Sequence, residues 1–356
     1  MPVEQSRGFA PGRVNLIGEH TDYNQGLALP FAIGPGVTVC AATWPPGSPG
    51  EQTVSACARD LDEHDEFPLR EPVPAPGWRA FTRGTVAELA RAGFPLIGAR
   101  LQITGDLALG AGLSSSAALE VALCLVLCEL GSRAWPERAR AASRIDIARL
   151  CARVENDWVG AQTGLLDQLA SLYGAPDTAL RIDFRTLEVM PVPLRLGHWR
   201  LVLLDSGERH VHASSGYNER RAECAEACRL LGVESLREAD AEMIAGLPEP
   251  LRRRAVHVLE ENQRVIEAVS ALRADDLEEI GGLLNASHRS LRENYEVSTP
   301  AVEETADRLL RAGASGARLI GGGFGGNVLG LFGPGVSPPA GSYEVRPGIG
   351  AHLLEP

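Results

Sequence analysis

The sequence predicts an α+β fold in two domains, and three observations carry that expectation. The chain has 356 residues, more than one ordinary hydrophobic core organises. Apolar residues make up 44% and charged residues 22%, the balance of a folded globular protein. Strand-like and helical stretches alternate along the chain without a regular βαβ rhythm. A strand run restarts after LRLGH, so a boundary near Gly197 divides residues 1–197 from 198–356.

The elements follow in order. Val37–Trp44 alternates as a strand and ends in the loop PPGSPG. Residues 60–77 are acidic and proline-rich and read as an exposed excursion. Trp78–Gly93 has helical spacing, and Arg100–Leu107 alternates as a strand. Ser114–Leu130 is apolar nearly all round, which marks a central helix. Ala117–Cys128 within it is too short to span a membrane and contains Glu120, so it reads as core. Pro136–Val159 reads as one long helix and Leu165–Tyr173 as a short one. Leu180–Leu194 and Trp199–Asp205 read as strands, and Ser214 to Ala312 as mainly helical. Arg318–Phe332 reads as strand, glycine turn and a further element, followed by a loop and a short final strand.

Composition excludes several classes. Thirty-four basic residues against 46 acidic ones give a net charge of −12, which argues against a nucleic-acid or anionic-membrane partner. The chain contains no lysine, so a Walker A loop, a protein-kinase strand lysine and a pyridoxal-phosphate Schiff base are all ruled out. MPVEQSRG lacks the apolar region of a signal peptide, and the seven cysteines form no CxxC pair. A cytoplasmic protein with reduced thiols is expected. Cys124/Cys128 and Cys224/Cys228 sit at i,i+4 spacing and read as packing. His210-Val211-His212 offers two imidazoles but no third metal ligand. No G-x-S-x-G elbow and no HExxH is present.

Four stretches carry chemistry. GRVNLIGEHTDYNQG, residues 12–26, runs an apolar alternation into Glu19-His20-Thr21-Asp22, more hydrogen-bonding groups than a surface turn requires. LGAGLSSSAALEVAL, 109–123, leads a strand into glycines, three serines and a helix. Its amides and helix start suit an anion without any lysine, and its hydroxyls suit a helix cap or Mg²⁺. VENDWVGAQTGLLDQLASLYG, 154–174, places Asp167 among leucines, where a carboxylate needs a partner. ARLIGGGFGGNVLGL, 317–331, holds five glycines in six residues, the makings of a tight loop.

Together these stretches resemble the galactokinase branch of the GHMP small-molecule kinases, in motif order and spacing from residue 9 to about 331. The resemblance implies a two-domain GHMP kinase fold with the active site in the interdomain cleft. It implies ATP-dependent phosphorylation of the anomeric hydroxyl of α-D-galactose, with ATP and Mg²⁺ as cofactors. By resemblance, Asp167 is the base and Arg13 its catalytic neighbour. Glu19, His20, Thr21, Asp22, Gly164 and Tyr217 bind the sugar. Gly110, Ala111, Gly112, Leu113, Ser114, Ser115 and Ser116 wrap the ATP phosphates, and Ser116 and Glu155 hold Mg²⁺. A related sugar (N-acetylgalactosamine, L-arabinose or galacturonate) and a non-catalytic sensor stay open as alternatives.

The chain departs from the family pattern in places. Ile320-Gly321 stands where Thr-Gly is usual, Asn327 where Cys or Ser is commoner, and Thr163, Leu165 and Leu166 replace Cys and Ile-Met. Between Phe332 and the final strand only GPGVSPPAGS stands where the family has a helix. A monomer is expected, but a bare sheet face there would leave room for a dimer.

Overall fold

A computed structural model describes residues 3–107, 112–208 and 213–355. The first strand, β1 (Gln5–Asn15), runs antiparallel to β3 (Pro30–Thr43). Beyond β3 follow β6 (Ala99–Gly105), β4 (Thr53–Ala58) and β5 (Glu63–Pro68). The last strand, β13 (His352–Leu354), pairs with β1 and completes a six-stranded sheet. A small sheet joins β2 (Leu27–Ala28), β7 (Thr178–Asp183) and β8 (Glu188–Pro193). The third sheet runs β10 (Gly316–Leu319), β11 (Asn327–Phe332), β9 (Arg200–Asp205) and β12 (Tyr343–Val345).

The helix α1 (Trp78–Arg91) packs on α2 (Ser115–Ala134), which lies across β1 and β3. Ala118, Val121, Ala122, Cys124 and Val126 of α2 are fully buried, which explains its apolar circumference. Each large aliphatic side chain so buried contributes about 1.5–3 kcal/mol. Among the described residues α2 is the one helix long and apolar enough to cross a membrane, but 67% of that window is buried in the core. It is the central helix that its sequence predicts.

Two expectations needed correction. The long helix over Pro136–Val159 is broken into a 3₁₀ turn at Pro136–Arg138, α3 (Arg144–Arg153) and a π-helical segment, Val154–Val159. Ser143 starts α3 with a reciprocal capping box to Asp146, a strong local signal that restarts the helix there. The excursion over 60–77 contains β5, whose acidic alternation disguises a strand. Asp65 points inward because Arg83 binds both of its oxygens, and Phe67 lies beside it in the core.

After α4 (Leu166–Tyr173) the second half adds α5 (Ala213–Leu231), α6 (Ala241–Ala245), α7 (Leu251–Arg273), α8 (Leu277–Glu293) and α9 (Pro300–Arg311). The segment between Phe332 and Tyr343 is loop, as its sequence predicts, but it leaves no bare face on the third sheet. Every residue of β11 is buried. Alternate residues enter different cores: Leu201, Leu203, Leu329 and Leu331 join that of the first half. Val202, Leu204, Val328 and Phe332 pack with Val302, Ala306 and Leu309 of α9. The expected open face is already covered within the chain.

Candidate active site

The register shift between Pro11 and Arg13 releases the Arg13 amide from the β1–β3 ladder, and it donates instead to Leu113 O at 3.2 Å. A Cβ on Gly12 would lie 2.6 Å from that same carbonyl, so only glycine permits the approach. The bulge thus brings β1 against the serine-rich loop.

Arg13 donates from Nε to Asp167 Oδ1 at 2.7 Å, places Nη2 at 2.7 Å from the same oxygen and donates from Nη1 to Gly112 O at 2.5 Å. The other Asp167 oxygen accepts from the Ser114 hydroxyl. Ser114 stands at the start of α2 with φ +61° and does not cap it, because its hydroxyl is committed to Asp167. Ser114 therefore leaves the first amides of α2 without a side-chain cap. Ser116 Oγ donates to Glu155 Oε1 at 3.0 Å. Glu155 Oε2 accepts from Thr163 and, at 3.0 Å, from Gln168 Nε2. Glu155 lies on the π-helical segment, a distortion that often marks functional positions. Burial and then the nearby Asp167 charge push its carboxyl above the usual range.

A cavity of about 430 Å³ is lined by Arg13, Glu19, His20, Asp22, Ser116, Gly164, Asp167, Tyr217, Asn218, Gly321 and Gly322. It gathers residues from both halves of the chain. Ser116 also lines a second cavity of about 650 Å³, together with Ser115, Trp78, Phe81, Ile103, Leu107 and Leu119. The first is polar and acidic, and the second has an aromatic and aliphatic wall. A small polar molecule and a flat apolar group could each be held with Ser116 between them.

The second half of the chain fixes the Glu19–Asp22 run. Arg318, fully buried on β10, donates to Leu16 O at 2.7 Å and Asn15 O at 3.1 Å, and its Nη2 lies 3.1 Å from Glu19 Oε1. Gly321 N donates to the same Glu19 oxygen at 2.7 Å. Glu261 on α7 accepts from Gly18 N at 2.9 Å. Burial would raise the Glu261 carboxyl, but Arg264, His257 and Arg318 hold it at about 2.

His20 has φ +61°, uncommon for a residue with a Cβ, and Asn24 Nδ2 holds its carbonyl at 2.9 Å. Its Nδ1 meets Tyr23 Oη at 2.8 Å, and its buried Nε2 has no hydrogen-bond partner among the described residues. Burial, with His257 and Arg220, lowers its pKa to about 3, so the ring is neutral. The His20 ring lies 5.4 Å from that of Tyr217 and 4.6 Å from that of Tyr295. Tyr23 and Tyr295 join hydroxyls at 2.8 Å. Asp22 is pushed up to about 6 by burial, reinforced by Asp167 and Glu19 and opposed by the Tyr23 amide and Arg221.

Of the residues chosen from sequence, Arg13, Glu19, His20, Asp22, Ser116, Gly164, Asp167 and Tyr217 meet at one cavity. Thr21 does not. It is fully buried, and its hydroxyl donates to Gly18 O and Leu27 O, so it builds the turn. Leu113 is buried, and Ser115 faces the second cavity. Gly110, Ala111, His210 and His212 lie outside the described residues. Asn218, Tyr23, Tyr295 and Gln168 escaped notice. Asn218 adjoins Tyr217 in the sequence, whereas Tyr295 gives no local sign.

Comparison with known proteins fits this geometry. The model of the galactokinase galactose-binding signature matches residues 4–43, and those of the GHMP kinase N-terminal and C-terminal domains match 80–175 and 268–341. A galactokinase of Mycobacterium tuberculosis is 46% identical over 329 residues, covering 90% of this chain and 87% of its own. One from Thermotoga petrophila is 39% identical over 321 residues, with 90% and 87% covered. The crystal structure of Lactococcus lactis galactokinase complexed with galactose superposes with a TM-score of 0.87 at 31% identity, covering 99% of this chain and 95% of that one. Methanococcus jannaschii mevalonate kinase shares the fold, with a TM-score of 0.65 at 17% identity over 97% and 98% of the two chains.

Proposed function

Because this chain belongs to the galactokinase family of the GHMP kinases, we propose that it transfers the γ-phosphoryl group of ATP to the anomeric hydroxyl of α-D-galactose. The observation that carries this reading is the position of Asp167. Clamped by Arg13 and Ser114, it stands in a polar cavity that adjoins, through Ser116, an apolar one. The sugar occupies the first cavity and the adenine the second, with the phosphates crossing the start of α2.

The chemistry follows from the side chains. Asp167 accepts the proton of the attacking hydroxyl, and Arg13 holds the carboxylate and offsets charge on the transferring group. Asp22 and Glu19 accept sugar hydroxyls. Glu19 Oε1 is already engaged, which leaves Oε2 for that task. His20, neutral, offers Nε2. Ser116 Oγ and Glu155 Oε1 are hard oxygen donors 3.0 Å apart and suit Mg²⁺, which takes one or two carboxylates and leaves other positions to phosphate and water. When bound, Mg²⁺ neutralises charge on the phosphates. We divide the chain near Gly197, since β9 to β12 all follow it, although β13 returns to the first sheet. Seven free cysteines support a reducing compartment, and we place the enzyme in the cytoplasm. The covered third sheet supports a monomer.

ADP release measured with galactose, N-acetylgalactosamine, L-arabinose and galacturonate tests the reading. Galactose should give the highest kcat/KM, and a higher value with another sugar, or no release with any, overturns it.

Two smaller effects are expected. A Cβ on Gly164 would lie 2.0 Å from Asp22 Oδ2, so Gly164→Ala must displace that carboxylate. Galactose KM should rise about tenfold or more while KM for ATP holds. Unchanged sugar KM would mean that Asp22 does not contact the sugar.

The second effect concerns pH. Ionised, Asp22 accepts from hydroxyls through both oxygens, whereas protonation turns one of them into a donor and removes the charge, so galactose KM should increase as pH falls through about 6. Asp22→Asn should raise KM and flatten that profile. The stability effect has the opposite sense. A carboxyl raised from 3.8 to about 6 on folding destabilises the fold as pH rises through that window. Asp22→Asn should therefore be the more stable protein above pH 6 in denaturant titrations.

A further inference from the structure

A chain of four side chains leads from the polar cavity into the second half of the protein. His20 Nδ1 lies 2.8 Å from Tyr23 Oη, Tyr23 Oη 2.8 Å from Tyr295 Oη, and Tyr295 Oη 3.1 Å from Cys224 Sγ. The His20 ring rests against those of Tyr217 and Tyr295, which hold its plane. Across the ring, Nε2 has no partner among the described residues and is the nitrogen left for the cavity that His20 lines.

Each link needs one proton, and the protons can run in either of two directions. Both phenols and the thiol are protonated at neutral pH, raised further by burial, and the neutral imidazole carries one proton on one of its nitrogens. In one direction Nδ1–H donates to Tyr23, Tyr23 to Tyr295, and Tyr295 to Cys224. That leaves Nε2 bare and spends a phenol O–H on sulfur, a weak acceptor. In the other direction Cys224 donates to Tyr295, Tyr295 to Tyr23, and Tyr23 to a bare Nδ1. Both phenol O–H groups then meet oxygen or nitrogen, and Nε2 carries the proton. The field of the cavity favours the same choice. Glu19, Asp22 and Asp167 line it against the single guanidinium of Arg13, so an N–H is better placed there than a lone pair. We propose that Tyr23 is a positioning residue: its hydroxyl, backed by Tyr295, donates to His20 Nδ1 and fixes the proton on Nε2, making His20 a hydrogen-bond donor to a sugar oxygen. The hydrogen bond at one imidazole nitrogen thus sets what the other can do. The carboxylates of the cavity can only accept, so His20 supplies the donor they lack. This rests on the assignment of the cavity to the sugar.

The tautomer is read in the full chain, without sugar, from proton–nitrogen correlation spectra of isotope-labelled histidine, which separate a protonated ring nitrogen from a bare one. Among the eight histidines, His20 is identified by the signals missing from His20→Asn. The parent should show one tautomer, with the proton on Nε2. Tyr23→Phe should populate the second tautomer as well. It should raise galactose KM about tenfold, the effect of a buried nitrogen left without its partner, with kcat within about twofold of the parent. Tyr295→Phe should act in the same direction and more weakly, because Tyr23 keeps its hydroxyl. If Tyr23→Phe does not fold, Tyr295→Phe carries the comparison. A proton on Nδ1 in the parent overturns the proposal. So does a Tyr23→Phe that keeps the single tautomer of the parent, whatever its KM, or that changes tautomer and keeps the parent's galactose KM. A parent that releases no ADP with any sugar overturns the assignment of the cavity, and the donor role of His20 with it, even where the tautomer is the one expected.

Discussion

Asp167→Asn should fold as the parent does and lose about 10²–10⁴-fold in kcat, the range that removal of a positioned general base produces. The substitution is isosteric and keeps one oxygen. Arg13 also keeps a second anchor at Gly112 O, so the guanidinium is not set loose. What disappears is the acceptor for the anomeric proton. Asp167 sits where this loss is most visible. Its Oδ1 takes both Nε and Nη2 of Arg13, its Oδ2 takes Ser114, and its side chain is still 26% exposed toward the cavity. Galactose binding measured by calorimetry should change little, since Glu19, His20 and Asp22 remain. A variant that turns over within tenfold of the parent, with an unaltered melting curve, would falsify the role of base. Proton acceptance would then fall to solvent or to the phosphate itself.

Local residues announced what local physics determines. The three serines before an apolar run gave α2, and the leucines around Asp167 gave the short helix that carries it. Spacing could not reveal where the serine hydroxyls go. Ser114 reads as a helix cap, yet it serves Asp167, 53 positions on, because the bulge at Gly12 draws the loop to Arg13. Thr21 reads as one of four polar groups facing a ligand, but the turn around Gly18 folds back on Leu27 and consumes its hydroxyl. The acidic strand β5 escaped because a buried Asp65 breaks the apolar alternation, and its compensation, Arg83, lies on a different element. Each failure has the same origin. A polar side chain's partner is settled by the tertiary fold, and the sequence around the residue carries only its need for one.

The same reasoning makes Arg318 the most consequential residue outside the cavity. Arg318→Met should destabilise the chain by about 3–5 kcal/mol in denaturant titrations, the cost of removing one partner from a buried ion pair. Methionine fills much of the same space, so packing alone does not predict such a loss. The loss would come from polar groups left behind. Glu19, 5% exposed, would retain only the Gly321 amide on Oε1, and the carbonyls of Asn15 and Leu16 would lose the guanidinium that satisfies them. Arg318→Lys should recover little, because an ammonium cannot reproduce the planar fork that reaches two carbonyls and a carboxylate together. Glu19→Gln added to Arg318→Met should recover part of the stability, since the uncompensated charge is then gone. Galactose KM should rise in Arg318→Met and stay raised in the double variant, because Glu19 is both the partner of Arg318 and a wall of the cavity. An Arg318→Met within 1 kcal/mol of the parent would place the anchoring of the Glu19–Asp22 run elsewhere. Glu261, which holds Gly18 from α7, would be the next candidate.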